Sequence, residues 1–400
     1  MNEHSRGRRR GWMAGGVAAA ALLLAGCSGD GEDRPRVDVI DDGGAAASSS
    51  VSGSVSASGA PSGSATTTAA SGGSVSVPVG LTAQTSGPTK SDGIYTPTTN
   101  REVYQKISSD YQEIVALTNL VNEAQPLPAA EILLMYEAGK HTRIGTSSRS
   151  LRMWAREAAR TTDFPDAVAF YKSATFLDTE IVDAIAKART AEQYTDAQRR
   201  QAIQKGIQRI LYHWTRHYLQ RASVDLNPGL VDEAWAIYVG EERDGKYPNS
   251  LAATAQSREG NFNRPGSIDT PLREALSRAQ QAAAAKDQGA YDAAAADVYS
   301  RLNAMFYLGS VRYLNEALKS AQAGNADAAG VAQVEGYSFY LSIQPEVAKA
   351  DAEADRAIVG YYKAPPDSLT AEQRDAALAA INRTASALRL QQSDLVTSFQ

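Results

Sequence analysis

One cysteine, four histidines and seven phenylalanines in 400 residues set the first limits on this chain. A lone cysteine leaves no disulfide framework, iron–sulfur cluster or cysteine zinc site. The G-x-S-x-G elbow, the H-E-x-x-H helix, the P-loop and the dinucleotide fingerprint are all missing, so the chain reads as a non-enzyme. Excess positive charge is missing too. With 40 Lys and Arg against 45 Asp and Glu the net charge is −5, which speaks against nucleic acid as a partner. Strand-like alternation is almost absent, while apolar residues recur at helical spacing.

The N-terminus carries the address. Arg6, Arg8, Arg9 and Arg10 precede the apolar run "WMAGGVAAAALLLAGC", which is too short and too rich in small residues for a stable membrane span. The run ends in Leu24-Ala25-Gly26-Cys27, a bacterial lipobox, so residues 1–27 read as a lipoprotein signal peptide with lipid attachment at Cys27. Its removal moves the net charge to about −8. Residues 28–95, rich in Ser, Gly and Ala, read as a disordered linker with a reach of roughly 45 Å. The expected location is an exported, membrane-anchored lipoprotein, periplasmic or at the cell surface.

Residues 96–400 read as all-α, a helical bundle. In "IQKGIQRILYHWTRHYLQRA" the residues Ile207, Ile210, Leu211, Trp214 and Tyr218 form one stripe. Thr195 with Gln198, and Thr370 with Gln373, fit capping boxes.

Self-similarity is the strongest signal. "EILLMY", "EAWAIY" and "EGYSFY" place Glu131, Glu233 and Glu335 at intervals of 102 residues, and Tyr136, Tyr238 and Tyr340 likewise. Ahead of the second and third copies, Tyr212, Tyr218, Leu219 and Ala222 align with Tyr307, Tyr313, Leu314 and Ala317. Asp178, Asp269 and Asp355 open what look like equivalent helices. These are pseudo-repeats of about 100 residues, centred near 131, 233 and 335, expected to pack around a shared core. The first helix of copy one and the loop of copy three are degenerate.

The repeated glutamates can serve a helix dipole, a fold symmetry or a ligand, and a dipole alone explains three copies less well than one. His213 and His217 stand at i and i+4, spaced to share a metal ion or to form a solvated helix edge. Tyrosine is abundant, at 18 residues, and phenolate with carboxylate and imidazole is a donor set that suits ferric iron. The candidate metal ligands are Glu131, Glu233, Glu335, Tyr238, Tyr340, His213 and His217. Arg160 and Arg258, read as loop residues after the motif helices, are candidate anion binders.

"VDEAWAIYVG", "VEGYSFYLSIQPEVAKADAE" and "DTPLREALSRAQ" resemble the low-iron-inducible periplasmic protein family, algal-type iron-assimilation proteins with bacterial relatives. The resemblance spans about residues 100 to 395. It implies an all-α extracytoplasmic protein that binds iron or assists its uptake, with a metal ion and an uptake-system protein as partners. The rival expectation is a non-enzymatic helical scaffold or protein-interaction lipoprotein with no metal site. An imelysin-like G-x-H-x-x-E signature is approached at Gly139-Lys140-His141, but Ile144 stands where glutamate is required.

Overall fold

A computed structural model describes residues 87–399 apart from 145–146 and 158–163. The signal peptide, Cys27, the linker up to residue 86 and Arg160 lie outside the described residues. The linker boundary expected at residue 95 moves forward. Thr89 and Tyr95 are buried, and the Tyr95 ring stacks on Trp235 at 5.0 Å. Residues 89–101 form a strap on the helical body.

Copy one comprises α1 (Glu102–Gln105), α2 (Ile107–Asn119), α3 (Ala129–Ala138), α4 (Leu151–Glu157), α5 (Pro165–Tyr171) and α6 (Phe176–Ala186). A two-residue antiparallel pair, Arg143–Ile144 with Ser147–Ser148, interrupts it before α4. Copy two comprises α7 (Asp196–Asp225), α8 (Pro228–Val239), α9 (Leu251–Asn261) and α10 (Asp269–Ala285). Copy three comprises α11 (Gln288–Gln322), α12 (Ala326–Ala350), α13 (Ala352–Lys363) and α14 (Ala371–Arg383). The motif helices are α3, α8 and α12, and the Asp-led helices are α6, α10 and α13. In copy three the irregular loop has shrunk to Asp351, which caps α13 by accepting from the Glu353 and Ala354 amides.

The fold is an all-α bundle in which α7 is the central rod. Both expected capping boxes are present, at Thr195 for α7 and Thr370 for α14. The expected apolar stripe on α7 is more than a stripe, since residues 201–215 are buried on every face. That burial follows from its neighbours, as α2, α6, α8, α11 and α12 all pack against it. Close approach needs small residues at several crossings. A Cβ on Gly206 would meet Ile181 at 2.6 Å, and one on Gly336 would meet Tyr362 at 2.5 Å and Tyr313 at 2.6 Å.

The many tyrosines have a structural use. Tyr361 donates to the Leu314 carbonyl at 2.6 Å and Tyr362 to the Ser310 carbonyl at 2.6 Å. A helical carbonyl keeps a second lone pair, so each ring packs like phenylalanine while its hydroxyl ties one helix to the next. The same device repairs α12 at Pro345, which has no N–H for the Leu341 carbonyl four residues earlier. Tyr171 donates to that carbonyl at 2.8 Å and so fastens α5 to α12.

Candidate functional site

Each motif tyrosine ends in the same arrangement. Tyr136 donates to Asp178 at 3.1 Å, Tyr238 to Asp269 at 3.0 Å and Tyr340 to Asp355 at 2.9 Å. All three rings are fully buried, and all three aspartates lie in the first turn of their helices. A carboxylate there is stabilised by the helix dipole, and a charge-assisted hydrogen bond adds about 1.5–3 kcal/mol. Burial first, and then the facing aspartate, push all three phenols far above their ordinary range. They are protonated donors, and Tyr238 and Tyr340, expected as metal ligands, are occupied as clamps. The aspartates are filled by further donors: Arg152 and Arg156 on Asp178, Arg273 and Gln256 on Asp269, Gln344 on Asp355.

The motif glutamates do not share one site. Glu131 is exposed in the first turn of α3. Glu335 is 4 % exposed and closed in by Lys205 at 3.1 Å and the Tyr313 hydroxyl at 2.5 Å. Burial raises its pKa, but Lys205, Tyr313 and Arg258 together outweigh burial and hold it below the ordinary range. Arg258 itself is buried in α9, over the Tyr313 and Phe339 rings, and not in a loop as expected. Its charge belongs to the Glu335 nest, not to an exposed anion site.

Glu233 is different. Arg101, from the strap, reaches its Oε1 at 3.2 Å. The Tyr104 and Tyr218 phenols lie close enough to the same carboxylate for its charge to act on both. Burial raises the Glu233 pKa, and Arg101 and Arg149 oppose that rise without cancelling it. Burial likewise raises both phenols, helped by the negative charge of Glu233. Trp154 lies beside both rings, at 5.8 Å from Tyr104 and 6.1 Å from Tyr218. The result is a cluster of three oxygen-bearing side chains, Glu233, Tyr104 and Tyr218, edged by the guanidinium groups of Arg101 and Arg149. Both arginines also face the Tyr104 ring, at 5.9 and 5.2 Å.

No family model, curated protein or solved structure matches this chain. The site therefore stands on its own geometry.

The residue ahead of Glu233 explains how the strap is held. Asp232 is fully buried and accepts from Tyr95 at 2.7 Å, from the amides of Thr98 and Thr99, and from both threonine hydroxyls. Gln280 adds a further donor at 2.8 Å. This fixes the strap, and with it Arg101 and Tyr104, over α8.

His213 and His217 do not form a solvated edge. Both are buried, and the Phe164 ring packs on each, at 5.4 and 5.5 Å. Among the described residues no group of three or more His, Cys, Asp or Glu could hold a metal ion. A metal site here would have to recruit phenol oxygens. His141 pairs with Glu113 at 3.0 Å.

Sequence reasoning missed Arg101, Tyr104 and Arg149, and used Tyr218 in the apolar stripe and to align the repeats, not as a site residue. The available signal was that alignment itself. Tyr218 and Tyr313 are equivalent, and each belongs to the nest of its own motif glutamate.

Proposed function

We propose that the protein is a tethered, extracytoplasmic iron-binding or iron-uptake accessory protein, and that Glu233, Tyr104 and Tyr218 are its metal-facing residues. The observation that carries this reading is the clustering of Glu233, Tyr104 and Tyr218, whose two rings meet at 5.9 Å. It gathers one carboxylate and two phenols, hard oxygen donors of the kind ferric iron prefers, beside two arginines. The donor set fits the ion. The charge fits when an oxyanion accompanies it, since Arg101 and Arg149 would otherwise repel a cation, and a guanidinium pair is suited to hold such an anion. The lipobox at Cys27 and the resemblance of the motif helices to low-iron-inducible periplasmic proteins support the same reading. The metal would displace the phenol protons, so binding strengthens as pH rises.

The test is titration of the purified protein with ferric iron in bicarbonate, followed by visible phenolate-to-iron absorption and Trp154 fluorescence. Glu233→Gln and Tyr218→Phe are expected to remove the band, while Tyr238→Phe leaves it in place. Absence of the band in the unaltered protein would overturn the reading.

The second reading is a non-enzymatic helical scaffold with no metal site. It is favoured by the three Tyr–Asp clamps and the Lys205–Glu335 pair, which satisfy the repeated residues internally. Under it, ferric iron leaves absorption and fluorescence unchanged.

A further inference from the structure

A cleft of about 340 Å³ opens where α5, α7 and the last turns of α12 meet. One wall is apolar, made by Phe164, Pro165 and Pro345. The other carries Arg216 and Glu346, which are paired with each other at 2.6 Å. His213 also lines the cleft. It is 5 % exposed and its Nε2 has no hydrogen-bond partner, in a protein whose other buried polar side chains are mostly satisfied. A buried donor or acceptor left alone costs free energy, and it marks a place where a ligand atom gains more than it would in water.

The surroundings define what that ligand is. The ring is held edge-on by Phe176 at 5.2 Å and Phe164 at 5.4 Å. Burial, and then Arg209 and Arg216, keep the imidazole well below its ordinary pKa, so it is neutral. Those two guanidinium groups oppose a metal cation at Nε2. The lining charges cancel, Arg216 against Glu346 and Lys349 against Asp166, the latter pair at 3.4 Å. A net-charged ligand therefore has no uncompensated partner. An uncharged molecule with a flat apolar body and one hydrogen-bonding group fits every wall.

We propose that this cleft binds a small neutral phenol-like ligand, with its ring against Phe164 and Pro345 and its hydroxyl on His213. The wall between α5 and α12 is fixed before the ligand arrives, because the Tyr171–Leu341 bond locks α5 onto α12 at the proline break, and a small shift of the His213 ring opens its buried Nε2 to the hydroxyl. The cleft shares no residue with the Glu233 cluster.

The test uses the full chain with phenol and toluene as probes, followed by ligand-detected NMR and calorimetry. Phenol is expected to saturate one site and to bind about tenfold more tightly than toluene, the ratio of one hydrogen bond. His213→Phe keeps a planar ring among Phe164 and Phe176, and should bring the two affinities together. Ala167→Met fills the cleft from α5 and should abolish saturable binding of both probes without touching His213. Equal affinity for phenol and toluene in the unaltered protein would overturn the proposal, as would undiminished phenol binding in Ala167→Met. Ferric absorption should survive in both variants, so failure here and failure of the iron reading are separate results.

Discussion

Glu233 and Glu335 occupy the same position in two copies of one motif, yet their environments have opposite effects. Both are buried, each faces a cation, and each has tyrosine phenols close by. Around Glu335 the charges more than offset burial, and the carboxylate is held ionised below its ordinary range. Around Glu233 burial wins, and the carboxylate is held above it. One nest is finished and the other is under-compensated. A repeat that needed only a structural pair would have no use for the second. Stored electrostatic cost of this kind is what a ligand relieves, so under the proposed iron reading Glu233 is the copy that binds and Glu335 the lock.

The largest test of that contrast is Glu335→Gln. It leaves Lys205, 4 % exposed, buried without its counter-charge, and breaking such a pair costs about 3–5 kcal/mol. Urea unfolding should show that loss, and a loss below about 1 kcal/mol would erase the distinction between the nests. Second comes Gly336→Ala. Copy two already carries Ala234 at the equivalent position, fully buried, whereas a Cβ at Gly336 meets Tyr362 and Tyr313 at 2.5 and 2.6 Å. Overpacking of a rigid crossing predicts about 1–3 kcal/mol of destabilisation, measured by thermal unfolding. Third is the clamp shared by all copies. Tyr238→Phe removes one charge-assisted donor from Asp269, which keeps Arg273 and Gln256, so a loss of about 1–2 kcal/mol is expected.

Much of this was legible from sequence. Helical periodicity, both capping boxes and the interval of 102 residues lead to an all-α bundle with equivalent motif helices. The aspartates at 178, 269 and 355 are visible as helix openers. Their pairing with Tyr136, Tyr238 and Tyr340 is not, because the partners lie 15 to 42 residues apart on different helices. Whether the motif glutamates converge was not legible, because equivalent positions need not be neighbours. In a pseudo-symmetric bundle equivalence separates residues, since each copy faces its own partners. Glu131 lacks any such nest because copy one has only the short α2 where the other copies have α7 and α11. The strap was hidden for a compositional reason: Thr98, Thr99 and Tyr95 follow a Ser/Gly-rich stretch and read as its continuation. Only the Asp232 contacts reveal that they belong to the body.

The smallest expected effect is the one that isolates the contrast, the pH dependence of the two isosteric variants. The reference pKa for either glutamate is 4.5. Glu335 is lowered by folding, so its stabilising contribution is present above the reference value and is lost as pH falls through the lower folded value. The penalty of Glu335→Gln should therefore shrink on acidification. Glu233 is raised by folding, so its contribution is present below the reference value and is lost as pH rises through the higher folded value. At neutral pH the ionised carboxylate is a burden, and the neutral amide of Glu233→Gln should equal or exceed the parent in stability by up to about 1 kcal/mol. That advantage should vanish below the reference value, where the parent is protonated as well. Urea midpoints for the parent and both variants at neutral pH and at about pH 4 give the two differences directly. Opposite signs at neutral pH mean the two nests are physically distinct. Equal signs mean that the Arg101 pair closes Glu233 as fully as Lys205 closes Glu335, leaving no stored cost for a ligand to relieve.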